Sequence, residues 1–271
     1  MTLNSIQRVL RPVAWRVQPL RAPAVKWRAR GMGPKDAVIG SYPRSGSTWL
    51  RFVLYECLVG QSADFEVVDK TLPGLGAHRD APGVLRNGGR LIHTHERLRP
   101  PGSTAVYLVR DPRAVVLSEY RFNQRRQIPV GTLDEFVRQF IKGRTSPHGS
   151  WATCVMYWKS LPRDATHIEF VKYEDMHGDP VNTVNRILTA LGRRVSDEAV
   201  LSAIRRNDRE RMHKKEIEVG NDPRRFGVGI DPTIPFVGSA SPDAWRNDLP
   251  RDMAFDIVAA MHDAMTSVGY D

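Results

Sequence analysis

Ala37-Val38-Ile39-Gly40-Ser41-Tyr42-Pro43-Arg44-Ser45-Gly46-Ser47-Thr48-Trp49 is the stretch of this 271-residue chain that says most about its architecture. The first three residues form an apolar strand, and a loop of small and polar residues follows. Residues 48–59 then carry Leu50, Val53, Leu54, Cys57 and Leu58 at helical spacing, with Arg51, Tyr55 and Glu56 expected outside that stripe. A tight loop between a strand and a helix lets backbone N–H groups converge on an anion, and the helix N-terminus adds partial positive charge. A solvated turn would use the same small residues. The order of strand, loop, basic residue and helix favours a phosphate site.

The pattern repeats outward from this unit. Leu91-Ile92-His93-Thr94-His95, Ala105-Val106-Tyr107-Leu108-Val109 and His167 to Tyr173 read as further strands. Asp111 is placed to cap a helix that Pro112 opens. A later helix carries Val181, Val184, Ile187, Leu188 and Leu191 and stops at Gly192, and a last one near 251–267 carries Met253, Ile257, Met261 and Ala264. Strands alternating with helices predict a P-loop-type three-layer α/β fold, its central, mostly parallel sheet flanked by helices. Residues 36–271 are expected to form this domain and 1–35 a basic extension. Ligands in such folds bind beyond the carboxyl ends of the strands.

Composition sets the remaining bounds. Apolar residues make up 41% and charged residues 26%, ordinary for a globular protein. No run approaches the ~18 apolar residues of a membrane span. Cys57 and Cys154 are too few for a zinc cage or a disulfide framework, so no metal site is expected and a reducing, cytoplasmic setting follows. The net charge of +10 is concentrated at one end: residues 1–35 hold eight basic residues and no acid, leaving 32 basic against 30 acidic in the rest. A nearly neutral domain argues against a nucleic-acid partner. In the extension, Leu3, Ile6, Leu10, Val13 and Val17 recur at helical spacing, with Trp15 and Trp27 as interfacial anchors and Pro12, Pro19 and Pro23 breaking the pattern. Peripheral membrane contact through residues 1–30, an organelle transit peptide, and a tail or strap against the domain are the three readings of this segment.

The loop does not match the nucleoside-triphosphate template G-x-x-x-x-G-K-S/T, because Ser45 and Gly46 stand where the second glycine and the lysine belong. No strand end offers an obvious magnesium-holding aspartate; residues 105–109 lead to Arg110. Gly74-Leu75-Gly76 leads to Arg79, where a dinucleotide fingerprint needs glycine. Arginines without metal ligands suit a nucleotide with separated phosphates.

Tyr42 to Trp49 resembles the 5′-phosphosulfate loop of sulfotransferases of the cytosolic and bacterial type, which use PAPS (3′-phosphoadenosine-5′-phosphosulfate). A second family motif, a strand followed by arginine and then serine eight residues on, is matched by Val106 to Val109, Arg110 and Ser118. Gly149-Ser150-Trp151, Lys172-Tyr173-Glu174-Asp175-Met176 and Trp245-Arg246 are weaker echoes, and the resemblance spans roughly 37–250. It implies sulfuryl transfer from PAPS to a hydroxyl or amine by in-line displacement, releasing PAP, the 3′,5′-bisphosphate. Arg44 would stabilise the leaving phosphate and Ser45, Gly46, Ser47 and Thr48 would cradle it. Trp49 would flank the adenine, or serve as a core residue at the helix start. Arg110 and Ser118 would hold the 3′-phosphate, and Tyr173 joins the co-substrate residues. His95, in His93-Thr94-His95, matches the catalytic histidine; an imidazole with an ordinary pKa near ~6.5 accepts a proton at pH 7. Glu96 is the reserve base.

Three departures accompany this resemblance. The family lysines are Arg44 in the loop and His93 in the histidine motif. The late Arg-Lys-Gly loop is replaced by Gly238, Ser239 and Ala240, with Arg224 and Arg225 upstream as possible substitutes. The adenine-stacking phenylalanine falls on Arg209. The competing functions are a P-loop kinase or NTPase and a non-catalytic membrane-surface protein on the same fold. Residues 72–90 and 121–150, with Leu72, Leu75, Phe122, Ile128 and Phe140, are expected to wall the acceptor pocket. The acceptor is a small molecule, glycolipid or carbohydrate.

Overall fold

Ala37 to Ser41 is small or apolar at every position, and all five residues are buried in the computed structural model. The described residues are 18–98, 104–162, 167–220, 230–236 and 241–271. The sheet has four parallel strands in the order β2-β1-β3-β4: β1 is Ala37–Ser41, β2 Leu91–Thr94, β3 Thr104–Val109 and β4 His167–Lys172. Its sides are covered on both faces, which explains the near-continuous apolar runs. Ile39, Val106 and Leu108 point into one core, while Val38, Ala105, Tyr107 and Val109 point into the other. The α/β three-layer expectation describes this architecture.

On the first face lie α2 (Ser47–Val59), α3 (Phe65–Thr71), α8 (Pro180–Ala190) and α9 (Asp197–Arg206), with α10 (Arg209–Val219) beyond. On the second lie α4 (Pro112–Arg125), α5 (Leu133–Ile141), α6 (Trp151–Ser160) and α12 (Arg251–Ser267). Short α7 (Asp175–Gly178) and α11 (Trp245–Asp248) complete the domain, and α1 (Gln18–Arg28) precedes β1. Asp111 caps α4 by accepting from the Arg113 N–H, with Pro112 in the first turn, as the sequence predicts. α12 also spans its expected residues, and Gly192 follows α8 with φ of 69°.

One sequence expectation fails in α2. Arg51, Tyr55 and Glu56 are buried, although the apolar stripe places them outside. The helix is enclosed on both sides. Arg51 donates to the Leu72 carbonyl at 2.9 Å and pairs with Asp69 at 2.8 Å, while Glu56 accepts from Asn207 at 2.7 Å and Arg206 at 2.5 Å. Tertiary partners thus satisfy polar groups that would otherwise have to face water.

The topology fixes where a ligand belongs. From β1 the chain crosses to β2 on one side and then to β3 on the other, so the carboxyl end of β1 is the switch point. Gly40 lets Trp158 lie against β1: a Cβ there would stand 2.5 Å from the indole ring. Tail residues 1–17, with Leu3 to Val17 and Trp15, lie outside the described residues. α1 continues past Pro23, and its Val25 packs with Leu75 and Ile92, whereas Trp27 is exposed. No helix among the described residues is long and apolar enough to cross a membrane.

Candidate functional site

Each strand delivers functional residues at its carboxyl end. β1 runs into Arg44 and Gly46, β2 into His95, β3 into Arg110 and β4 into Tyr173. These residues, together with Ser47, Thr48, Trp49 and Ser118, line one cavity of about 960 Å³. Ser45 is the exception among the sequence-derived site residues. Its side chain is fully buried, its hydroxyl has no hydrogen-bond partner, and it does not line the cavity.

The loop geometry follows from two left-handed residues. Arg44 has φ of 66° and Gly46 φ of 90°. At Gly46 the need is strict, since a Cβ would approach the Tyr173 ring to 2.6 Å. Gly46 is also the N-cap of α2 and brings no capping side chain, which leaves the first N–H groups of the helix for a ligand.

Arg44 donates from Nε to Ser118 Oγ at 3.1 Å and from Nη2 to the Phe236 carbonyl at 3.3 Å, and its guanidinium lies 4.5 Å from the Phe122 ring centre. Arg110 donates to the Arg44 carbonyl at 3.2 Å and lies 4.1 Å over the Tyr173 ring. Its Nε is buried without a partner. Among the described residues, neither arginine forms an ion pair with a carboxylate. Burial, reinforced by the charge of Arg110, lowers the Arg44 pKa to about 10, so it remains a cation at neutral pH. Two neighbouring cations, with carboxylates such as Glu119 nearby but none in a direct ion pair with them among the described residues, attract phosphate oxygens.

His95 stands in the cavity wall with a defined tautomer. Its Nδ1 lies 2.9 Å from the Ser41 carbonyl, which can only accept, so the proton sits on Nδ1 and Nε2 carries the lone pair. With Nδ1 engaged, Nε2 is the ring nitrogen left for a ligand in the cavity that His95 lines. Burial, and secondarily His148, pushes the pKa down to about 3, well below the ordinary imidazole value expected from sequence. Burial likewise lowers His93 and His148, whose rings lie 4.5 Å and 5.6 Å from that of His95.

Glu96 is placed differently from the reserve base of the sequence reading. It accepts from Arg21 at 2.7 Å and lies 3.4 Å from His148 Nδ1. Burial alone would raise its pKa, but these partners prevail and hold it at about 2. A carboxylate so firmly ionised is a weak proton acceptor.

Glu119 is a cavity residue that sequence reasoning missed, and His148 lies within the expected 121–150 wall but was given no role there. Burial raises the Glu119 carboxyl to about 7, beside Thr145, Arg44 and Tyr42. Its place directly after Ser118 was the available signal. Of the expected acceptor walls, Arg121, Phe122, Asn123, Arg126 and residues 145–148 line the cavity. Leu72, Leu75 and Phe140 instead fill the core, and none of residues 72–90 reaches the cavity. Trp49 lines the cavity, packs against the core, and donates to the Asn207 carbonyl at 2.8 Å. Arg209 also lines the cavity, while Arg224, Arg225, Gly238, Ser239 and Ala240 lie outside the described residues.

The lowered pKa of this half-buried imidazole has a stability consequence. Unfolded His95 takes up a proton near 6.5 and the folded residue only near 3. The unfolded state therefore binds more protons between these values, and the His95 contribution is intact above 6.5 and shrinks as pH falls. Glu119 and Glu174, with raised pKa values, oppose this trend. The His95→Asn variant isolates one group. Between pH 6.5 and 5, urea unfolding should show the wild type losing about 2 kcal/mol more than the variant. Parallel losses would place His95 in a solvated setting.

Residues 34–269 match the family model of the sulfotransferase domain. Sulfotransferase 1A1 of Bos taurus is 30% identical over 243 residues, covering 78% of this chain and 79% of the relative. Sulfotransferase 1C2 of Rattus norvegicus is 28% identical, with 84% of each chain covered. Among solved structures, a retinol dehydratase in complex with retinol and PAP superposes with a TM-score of 0.69 at 19% identity, covering 92% of this chain and 87% of that one. A mouse sulfotransferase complexed with PAP gives 0.65 at 18% identity, with 89% of each chain covered. At these identities the structural likeness is one of fold.

Proposed function

The chain belongs to the sulfotransferase family, and on that premise we propose that its cavity binds PAPS and transfers the sulfuryl group to an acceptor hydroxyl or amine. The observation that carries this reading is the meeting of Arg44 and Arg110 at the β1 switch point, neither of them in a direct ion pair with a carboxylate among the described residues. The PAP present in the solved neighbours supports the same choice of nucleotide.

PAPS supplies an activated sulfuryl group. The open N–H groups of α2 and the Arg44 guanidinium hold the 5′-side phosphate and offset the negative charge that gathers there. Arg110, Ser118 and Tyr173 take the 3′-phosphate. The acceptor oxygen bonds to sulfur as the bond from sulfur to the 5′-phosphate oxygen breaks, and the acceptor proton moves to His95 Nε2. Burial keeps that nitrogen unprotonated over the whole working pH range. The cavity walls combine Leu117, Phe122, Ile234 and Phe236 with the polar floor, which suits a small molecule having an apolar body and one reactive polar group.

Parallel calorimetric titrations with PAP, 5′-AMP and Mg-ATP test the reading. PAP should bind at least about tenfold more tightly than either competitor, since only PAP engages both arginines. Preference for Mg-ATP would favour the kinase or NTPase alternative, and binding of none would favour a non-catalytic protein.

A further inference from the structure

Arg21 lies in α1, outside the domain drawn from sequence, yet it is 5% exposed and reaches the wall of the cavity. Its Nε and Nη2 both donate to Glu96, at 3.1 Å and 2.7 Å, and another N–H is directed to the Pro147 carbonyl. Its Nη2 also lies 2.5 Å from His148 Nδ1. A guanidinium has donors only, so His148 Nδ1 must be the acceptor and its proton must sit on Nε2. The competing contact from Nδ1 to Glu96 is longer, at 3.4 Å. His148 lines the cavity, and with Nδ1 engaged its Nε2 is the nitrogen left for a ligand there.

The two neighbouring histidines are therefore held in opposite tautomers. His95, fixed by the Ser41 carbonyl, presents a lone pair; His148, fixed by Arg21, presents an N–H. Their ring centres are 5.6 Å apart, a separation at which one oxygen can contact both. We propose that His148 is the second contact for the acceptor and that α1 is a working part of the active site, because Arg21 sets the tautomer of His148. This assignment rests on the sulfuryl-transfer reading. A hydroxyl complements the pair, giving its proton to His95 and accepting from His148, with a remaining lone pair for sulfur. An amine reacts only as the neutral form, whose single lone pair goes to sulfur and leaves the His148 N–H unmatched, so the acceptor class is a hydroxyl. His148 thereby supplies a donor near the reacting oxygen in a chain whose motif lysine is His93.

The test combines a spectroscopic and a kinetic arm. Long-range proton–nitrogen NMR of the full chain reads both tautomers without any ligand. The expected result is His95 protonated on Nδ1 and His148 on Nε2. Arg21→Met should move His148 toward the Nδ1-protonated form facing Glu96 and leave His95 unchanged. Arg21→Met combined with Glu96→Gln, which leaves no uncompensated carboxylate, guards against loss of fold. In the kinetic arm, PAPS is supplied with 2-naphthol or benzylamine as probe acceptors, or with water alone. His148→Ala and the double variant should lower turnover about tenfold, the usual scale for one aligned donor at a reacting centre, while PAP affinity stays within about twofold. Wild-type 2-naphthol should be consumed and benzylamine should not.

Wild-type His148 protonated on Nδ1, turnover unaffected in His148→Ala, or equal use of benzylamine would each overturn the proposal. Failure of the wild type to bind PAP would instead overturn the sulfotransferase reading, and the tautomers would still report whether Arg21 orders His148.

Discussion

His95→Asn is expected to lower kcat by about 10²–10⁴-fold, the range supplied by a positioned general base, and to leave PAP affinity within about twofold. Asparagine keeps a donor for the Ser41 carbonyl but offers no basic nitrogen at the position of Nε2. The variant therefore removes the chemistry while preserving the local hydrogen bond. The measurement is steady-state turnover of PAPS with 2-naphthol, paired with PAP calorimetry on the same preparations. Unchanged turnover would transfer the proton to another group. Loss of PAP binding in step with kcat would mean that His95 shapes the nucleotide site.

The pH profile sharpens this test. Burial holds the free enzyme's His95 near 3, so it is always ready to accept a proton but is an intrinsically weak base. Bound phosphate groups carry negative charge and favour the imidazolium that forms during transfer. Hence kcat/KM should show no limb from His95 near 6.5, and a fall centred there that vanishes in His95→Asn would contradict the tautomer and burial assigned to it.

The strand ends were readable because each depends on a local pattern. Val38-Ile39 before a small-residue loop, and Val109 before Arg110-Asp111-Pro112, announce a strand, its end and the start of a helix within about ten residues. In a parallel sheet, all such ends meet on one side. The network behind the site had no comparable local sign. Arg21 and Glu96 are 75 residues apart, His95 and His148 are 53 apart, and their contact depends on how α1 and the loop before α6 close over β2. The same limit explains the misplaced face of α2. Its helical stripe identified one covered side, but only the arrival of α9 and the loop after α3 buried Glu56 and Arg51. Leu72, Leu75 and Phe140 looked like acceptor walls because they are apolar and lie within the segments expected to wall the pocket; packing sent them inward.

Arg110→Met is expected to weaken PAP by about 30- to 1,000-fold, as loss of a partly buried charge-assisted contact to phosphate does, and to change 5′-AMP affinity by no more than about threefold. Only PAP carries the 3′-phosphate. The contrast has a structural complication, because Arg110 also donates to the Arg44 carbonyl and so supports the loop on the 5′ side. Arg110→Lys separates the two roles. Lysine retains the charge but loses the planar fork and the stacking over Tyr173. If the 3′-phosphate is the target, lysine should recover part of the PAP affinity, and 5′-AMP should bind all three proteins alike. If Arg110 acts through the loop, both nucleotides should weaken together and lysine should restore neither. That second outcome would move the 3′-phosphate contact to the other cationic side chains lining the cavity, of which Arg209, on the α10 side of Trp49, is the one placed near the adenine position suggested by sequence.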